Sequence, residues 1–235
     1  MTFRTCKRRP TLVFWIGLCL AAAPLLRLSF AHADSADDSL RLYAVDIWRD
    51  PPQSWGPGRG VYLGNGLVLT AAHVVGSAGG TRPSVRIAGM DLPAKAIKEG
   101  KVERVDLTLL SIDEQKLPIY LQMRRMLLCE KNPGPGEPVI VAVPEKTARS
   151  YIMSPLSLPF RVPRKFSTLI SDVGATENSG TGVFDAGKKC LLGILSRKFF
   201  LRLNSGDAET QEKDIAKYFV PAPTIRAFIP TGYRF

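Results

Sequence analysis

Histidine is almost absent from this 235-residue chain, which carries two, His32 and His73. Cysteine is sparse as well, four in all, at positions 6, 19, 129 and 190. Ligands this few exclude an evident structural zinc site, which wants four closely grouped sulfur or nitrogen donors. No metal and no other cofactor is expected. No repeat or low-complexity segment occurs. Long amphipathic helical stretches are also missing, and only Thr224 to Phe228 reads as a short helix. The uncharged run Thr11–Leu26 is shorter than the ~20 residues a membrane-spanning helix needs.

The N-terminal segment differs in character from the rest. Arg4, Lys7, Arg8 and Arg9 form a basic head, the uncharged run follows, and Ala31-His32-Ala33 precedes an acidic stretch at Asp34. A basic head, an apolar middle and a small-residue exit mark a secretory signal peptide over residues 1–33. The alternative is an uncleaved N-terminal anchor. The expected product is exported, periplasmic or secreted, with no stable membrane association after cleavage. Cleavage after Ala33 removes Arg4, Lys7, Arg8, Arg9 and Arg27 and no acid, taking the net charge from +11 to +6. The remaining excess is moderate, and no nucleic-acid partner is expected. Cys129 and Cys190 survive cleavage and allow one disulfide, which the spacing alone does not establish.

The mature chain consists of short runs rich in Val, Ile and Leu, separated by Gly, Pro and Asn. Residues 40–48, 61–70, 84–88, 107–112, 139–143, 166–170 and 191–195 read as strands. Turn signals such as Gly64-Asn65-Gly66 and Asn132-Pro133-Gly134 bound them. The class is all-β, sandwich or barrel. Residues 114–138 lack strand periodicity and are expected to link a first half, 34–113, to a second, 139–235.

His73 is the one histidine left in the mature chain. An apolar strand delivers the chain to small residues, Thr70-Ala71-Ala72, and the imidazole follows directly. Imidazole titrates near neutral pH and so can take and return a proton within one reaction cycle. This Thr-Ala-Ala-His segment resembles the histidine motif of chymotrypsin-like serine peptidases. The resemblance demands an aspartate entering an apolar strand, and Val105-Asp106-Leu107-Thr108-Leu109-Leu110 fits. It also demands a nucleophile in a glycine-flanked turn, and Glu177-Asn178-Ser179-Gly180-Thr181-Gly182 fits. The order His, Asp, Ser is the family's order. It implies that Ser179 attacks, His73 takes its proton, and Asp106 fixes the imidazole tautomer.

Further expectations come from the same resemblance. It implies two packed six-stranded antiparallel barrels with a short C-terminal helix, a cleft site between them, and no PDZ module after the second barrel. Gly193-Ile194-Leu195-Ser196 is similar to the strand whose serine supports the buried aspartate. Ser196 is placed with Val173 at the primary substrate pocket, and an apolar Val173 floor implies small or medium apolar side chains. A Cys129–Cys190 disulfide is implied between linker and second barrel. The oxyanion hole is expected from the backbone N–H groups of Glu177 and Ser179. The family usually has glycine at the first of these, and losing one such donor costs about a hundred- to a thousand-fold in rate. The expected function is an exported serine endopeptidase acting on proteins or peptides. The alternatives are a protease-like binding protein, on the strength of Glu177, and a polyanion-binding surface protein.

Overall fold

The computed structural model describes residues 36–52, 54, 56–77, 79–171, 178–204 and 210–233. The expected signal peptide, and the expected roles of Val173 and Glu177, lie outside the described residues. The described chain is nearly all-β. Its first half holds β1 (Ala44–Asp50), β2 (Gly58–Gly64), β3 (Leu67–Thr70), β4 (Arg82–Ile87), β5 (Met90–Pro93), β6 (Lys95–Glu99) and β7 (Thr108–Ser111). Its second half holds β8 (Pro138–Val143), β9 (Lys146–Met153), β10 (Leu169–Ser171), β11 (Gly182–Asp185), β12 (Leu191–Asn204) and β13 (Thr210–Pro221). The short helices are α1 (Ala72–Val75), α2 (Ile119–Gln122) and α3 (Ala222–Phe228).

The second half closes as a six-stranded barrel in the order β10-β13-β12-β11-β8-β9. The first is a seven-stranded sheet in the order β5-β4-β1-β2-β3-β7-β6. Its two edge strands, β5 and β6, follow one another in the chain with only Ala94 between them. A single residue spans a few ångströms, so the edges must meet and the sheet must curl. Ala94 N–H donates to Pro83 O at 3.0 Å. Counted as one bent strand, β5 and β6 make this half six-stranded too.

The unbroken apolar runs have a physical reason. On β2 and β3, Val61, Leu63, Leu67 and Leu69 face a core shared with the second half, while Tyr62 and Val68 face the interior of the first. Likewise β8 sends Ile140 and Ala142 to the shared core and Val139 and Val141 into its own barrel. Strands buried on both faces lose the polar alternation of a half-exposed sheet.

The run 61–70 is a hairpin rather than one strand. Asn65 and Gly66 both have positive φ, 51° and 70°, as a two-residue turn of the I′ class requires. Strand propensity alone also missed β5, β6, β9, β11 and β13. β9 reads KTARSYIM and is largely exposed or half-buried, so its ladder with β8 holds it rather than apolar burial.

Two ties cross the fold. Cys129, in the segment between α2 and β8, is bonded to Cys190 across 61 residues, with both side chains buried. Closing a loop of that length in the unfolded chain contributes about 4 kcal/mol on the chain-entropy account. Asp37, ahead of β1, is buried and pairs with Arg149 of β9, 2.6 Å away, and with Lys189. Burial pushes its carboxyl up, but the hydrogen bonds from Lys189 and Arg149 outweigh it and hold it below the usual value.

Candidate active site

β3 ends at Thr70, Ala71 remains extended, and α1 carries His73 in its single turn. The small side chains allow this close packing. A Cβ on Gly58 would lie 2.2 Å from Val74 Cγ1, so the start of β2 rests directly on α1. Asp106 stands just before β7, which pairs with β3 in the register Thr70↔Thr108. That pairing brings the carboxylate to the end of β3 where His73 emerges.

The contacts are specific. His73 backbone N–H donates to Asp106 Oδ1 at 3.1 Å, and His73 Nδ1 lies 2.7 Å from Asp106 Oδ2. Asp106 is 3 % exposed. A carboxylate so buried needs hydrogen-bonded partners, and the second half of the fold supplies a third. Ser196 Oγ, from β12, donates to Asp106 Oδ2 at 2.6 Å. Burial raises the Asp106 pKa, but the hydrogen bonds from His73 and Ser196, with the charge attraction of His73, bring it below the ordinary carboxylate value. Asp106 is therefore a carboxylate throughout the neutral range.

Ser179 lies in the turn that leads into β11. Its Oγ donates to Ser196 O at 3.4 Å. The turn is clamped between the halves: Arg59 N–H donates to Ser179 O at 2.9 Å, and Asn178 Nδ2 donates to Pro57 O at 3.0 Å. Thr181 Oγ1 closes it with a 2.7 Å bond to Asn178 O, and Gly180 N–H donates to Leu195 O at 2.8 Å. Gly180 has φ +93°, and a Cβ there would sit 1.8 Å from Arg59 O. Both the left-handed backbone and the close approach demand glycine.

His73 and Asp106 are thus in direct contact, and Ser196 connects to both Asp106 and Ser179. Among the described residues no hydrogen bond joins Ser179 Oγ to the His73 ring. The sequence reading missed Arg59, whose N–H holds the Ser179 carbonyl and whose own carbonyl accepts from Thr70 Oγ1 at 2.5 Å. Its only trace in the sequence is the flanking pair Gly58 and Gly60. A Cβ on Gly60 would meet Val45 Cγ2 at 3.0 Å and Leu69 O at 3.1 Å.

Among the described residues no cluster of three or more His, Cys, Asp or Glu is arranged to hold a metal ion. Nor is any described helix long and apolar enough to cross a membrane.

No protein-family model and no curated protein sequence matches the chain. Solved structures do. The active form of the Rv3671c protease from M. tuberculosis superposes with a TM-score of 0.55 at 16% identity, covering 100% of this chain and 97% of that one. The MamO protease domain from Magnetospirillum magneticum gives 0.53 at 18% identity, over 81% and 97%. A serine protease of a human pathogenic astrovirus gives 0.52 at 17% identity, over 81% and 94%. The fold is the trypsin-like one. At this identity the likeness establishes the fold alone.

Proposed function

We propose that the protein is an exported serine endopeptidase whose nucleophile is Ser179, with His73 as general base and acid and Asp106 as the group that orients His73. The observation that carries this reading is the His73–Asp106–Ser196 hydrogen-bond network, its carboxylate buried, beside a glycine-clamped Ser179. With Asp106 on Nδ1, the proton of the neutral imidazole sits on Nδ1 and Nε2 is left as the base. The proposal requires that turning Ser179 about χ1, a change between staggered rotamers, carry its hydroxyl from Ser196 O to that nitrogen. Catalytic hydrogen bonds often tighten only when substrate is bound.

In the proposed cycle Ser179 Oγ adds to the scissile carbonyl as His73 Nε2 takes its proton. The tetrahedral intermediate collapses, the C–N bond breaks, and His73 returns the proton to the leaving amine. Water then attacks the acyl-enzyme by the same route and releases the acid. The backbone N–H groups of Ser179 and Glu177 are proposed as the oxyanion donors; any residue except proline supplies one. Val173 is proposed for the floor of the primary pocket. The Cys129–Cys190 disulfide supports an oxidising compartment, in keeping with export.

The purified protein should cleave an unfolded protein such as casein. Ser179→Ala and His73→Ala should each lower the rate by about a thousand-fold or more. A folded wild type that cuts no polypeptide, or variants that cut as fast, would overturn the assignment. The first of these outcomes favours a protease-like binding protein.

A further inference from the structure

The residue that follows Ser196 supplies a chemistry for the substrate. Arg197 Nη2 donates to Val102 O at 2.6 Å, and the guanidinium lies 5.0 Å from the centre of the Phe166 ring. Lys165 reaches the same ring, with Nζ 4.9 Å from its centroid. Tyr218 packs edge-on against Phe166 at 4.9 Å and holds it in place. Arg104, two residues before Asp106, lines the same recess, as do Asp106 and Ser196 themselves. The side chains of Arg104 and Lys165 are exposed, and that of Arg197 is half-buried.

Three cations therefore gather beside the serine whose carbonyl receives Ser179 Oγ. Among the described residues no carboxylate forms an ion pair with any of them. Asp106, the carboxylate in the recess, is already engaged by His73 and Ser196. The neighbouring Lys198 is paired with Asp214 at 3.0 Å and adds little. Among the described residues the recess is net positive, and its one carboxylate, Asp106, is committed to His73 and Ser196.

We infer that this recess selects polypeptides carrying Asp or Glu in the stretch that lies along Ser196 and Arg197 next to the scissile bond. The inference rests on the peptidase reading and names its substrate class. An acidic side chain there would meet the exposed Lys165 and Arg104 heads, whose attraction acts through water and is screened by salt. A lysine in the same place would be repelled, so discrimination comes from both signs.

The test uses the purified protein and internally quenched peptides that differ only in Glu, Gln or Lys at each position flanking one bond. Glu should exceed Lys by about tenfold or more in kcat/KM at low salt, and the ratio should shrink toward parity as salt approaches ~0.5 M. The paired exchange Lys165→Glu with Arg104→Glu should invert the order. Lys165→Gln and Arg104→Gln singly should each reduce the ratio, which keeps the test intact if the double variant does not fold. The same peptides titrated into the Ser179→Ala protein, followed by fluorescence anisotropy, read the preference without turnover. Retained Glu preference in binding, with no cleavage by wild type, would sink the peptidase reading and leave the acid-binding recess standing. Equal handling of Glu, Gln and Lys, or a preference that survives the double exchange, would sink the recess.

Discussion

Asp106→Asn should lower kcat by about four orders of magnitude while the protein stays folded. The asparagine oxygen can still accept the His73 backbone N–H, as Asp106 Oδ1 does at 3.1 Å. Its NH2 group then faces Ser196 Oγ and His73 Nδ1, where the carboxylate oxygen had accepted from both. An N–H donor pointed at Nδ1 drives the ring proton to Nε2, and the base that should receive the Ser179 proton is gone. Steady-state turnover of a neutral quenched peptide, with circular dichroism as the fold control, checks this. Loss of less than about tenfold would remove Asp106 from the proposed mechanism.

The protonation of Asp106 has a defined sign. Its folded-state pKa lies below the ordinary value of 3.8. The stability it contributes is therefore complete above that value and is lost as pH falls through the lower, folded-state value. Asp37 behaves in the same direction. Both groups lose their contribution only in acid below pH 4, so neither sets a limit on activity near neutrality.

Gly180→Ala is expected to be the most disruptive single-methyl change near the site. The added Cβ would fall 1.8 Å from Arg59 O and 2.6 Å from Thr70 Oγ1, on a backbone with φ +93°. Both neighbours belong to the first half of the fold, and Arg59 O is backbone, so relief requires the Ser179 turn to move off β2. That movement would break the Arg59 N–H to Ser179 O bond of 2.9 Å. Displacing a reacting group by about an ångström costs on the order of a hundredfold in rate, and the backbone strain adds about 1–3 kcal/mol of destabilisation. The two effects should appear together, as a lowered melting temperature and a hundredfold or greater loss of turnover. A variant with wild-type turnover would mean that the turn is not held as described.

Much of the fold was legible in the amino-acid pattern because its central strands are buried on both faces. Runs such as Val139–Val143 need no partner to be recognised as apolar strands. β13 was not legible: its first residues, Thr-Gln-Glu-Lys-Asp, carry no apolar signal, and pairing with β12 makes them a strand. The split of 61–70 at Asn65-Gly66 was present in the turn residues but hidden by the apolar residues on both sides. At the site, His73, Asp106 and Ser179 stood out because their flanking residues are small or apolar for packing reasons that local sequence records. Arg59 and Arg197 did not, since their roles arise from contacts to Ser179 and Val102 that are distant along the chain. The Cys129–Cys190 pairing came only with the resemblance to a known fold and is present.

In the proposed mechanism Ser179 is made nucleophilic by the imidazole next to Asp106. An uncharged fluorophosphonate, which bonds covalently only to an activated hydroxyl, tests it most directly when the adduct is mapped by mass spectrometry. One stoichiometric adduct is expected on the peptide containing Ser179, absent from Ser179→Ala and His73→Ala. A folded protein that takes up no reagent, or an adduct on any other residue, would contradict it.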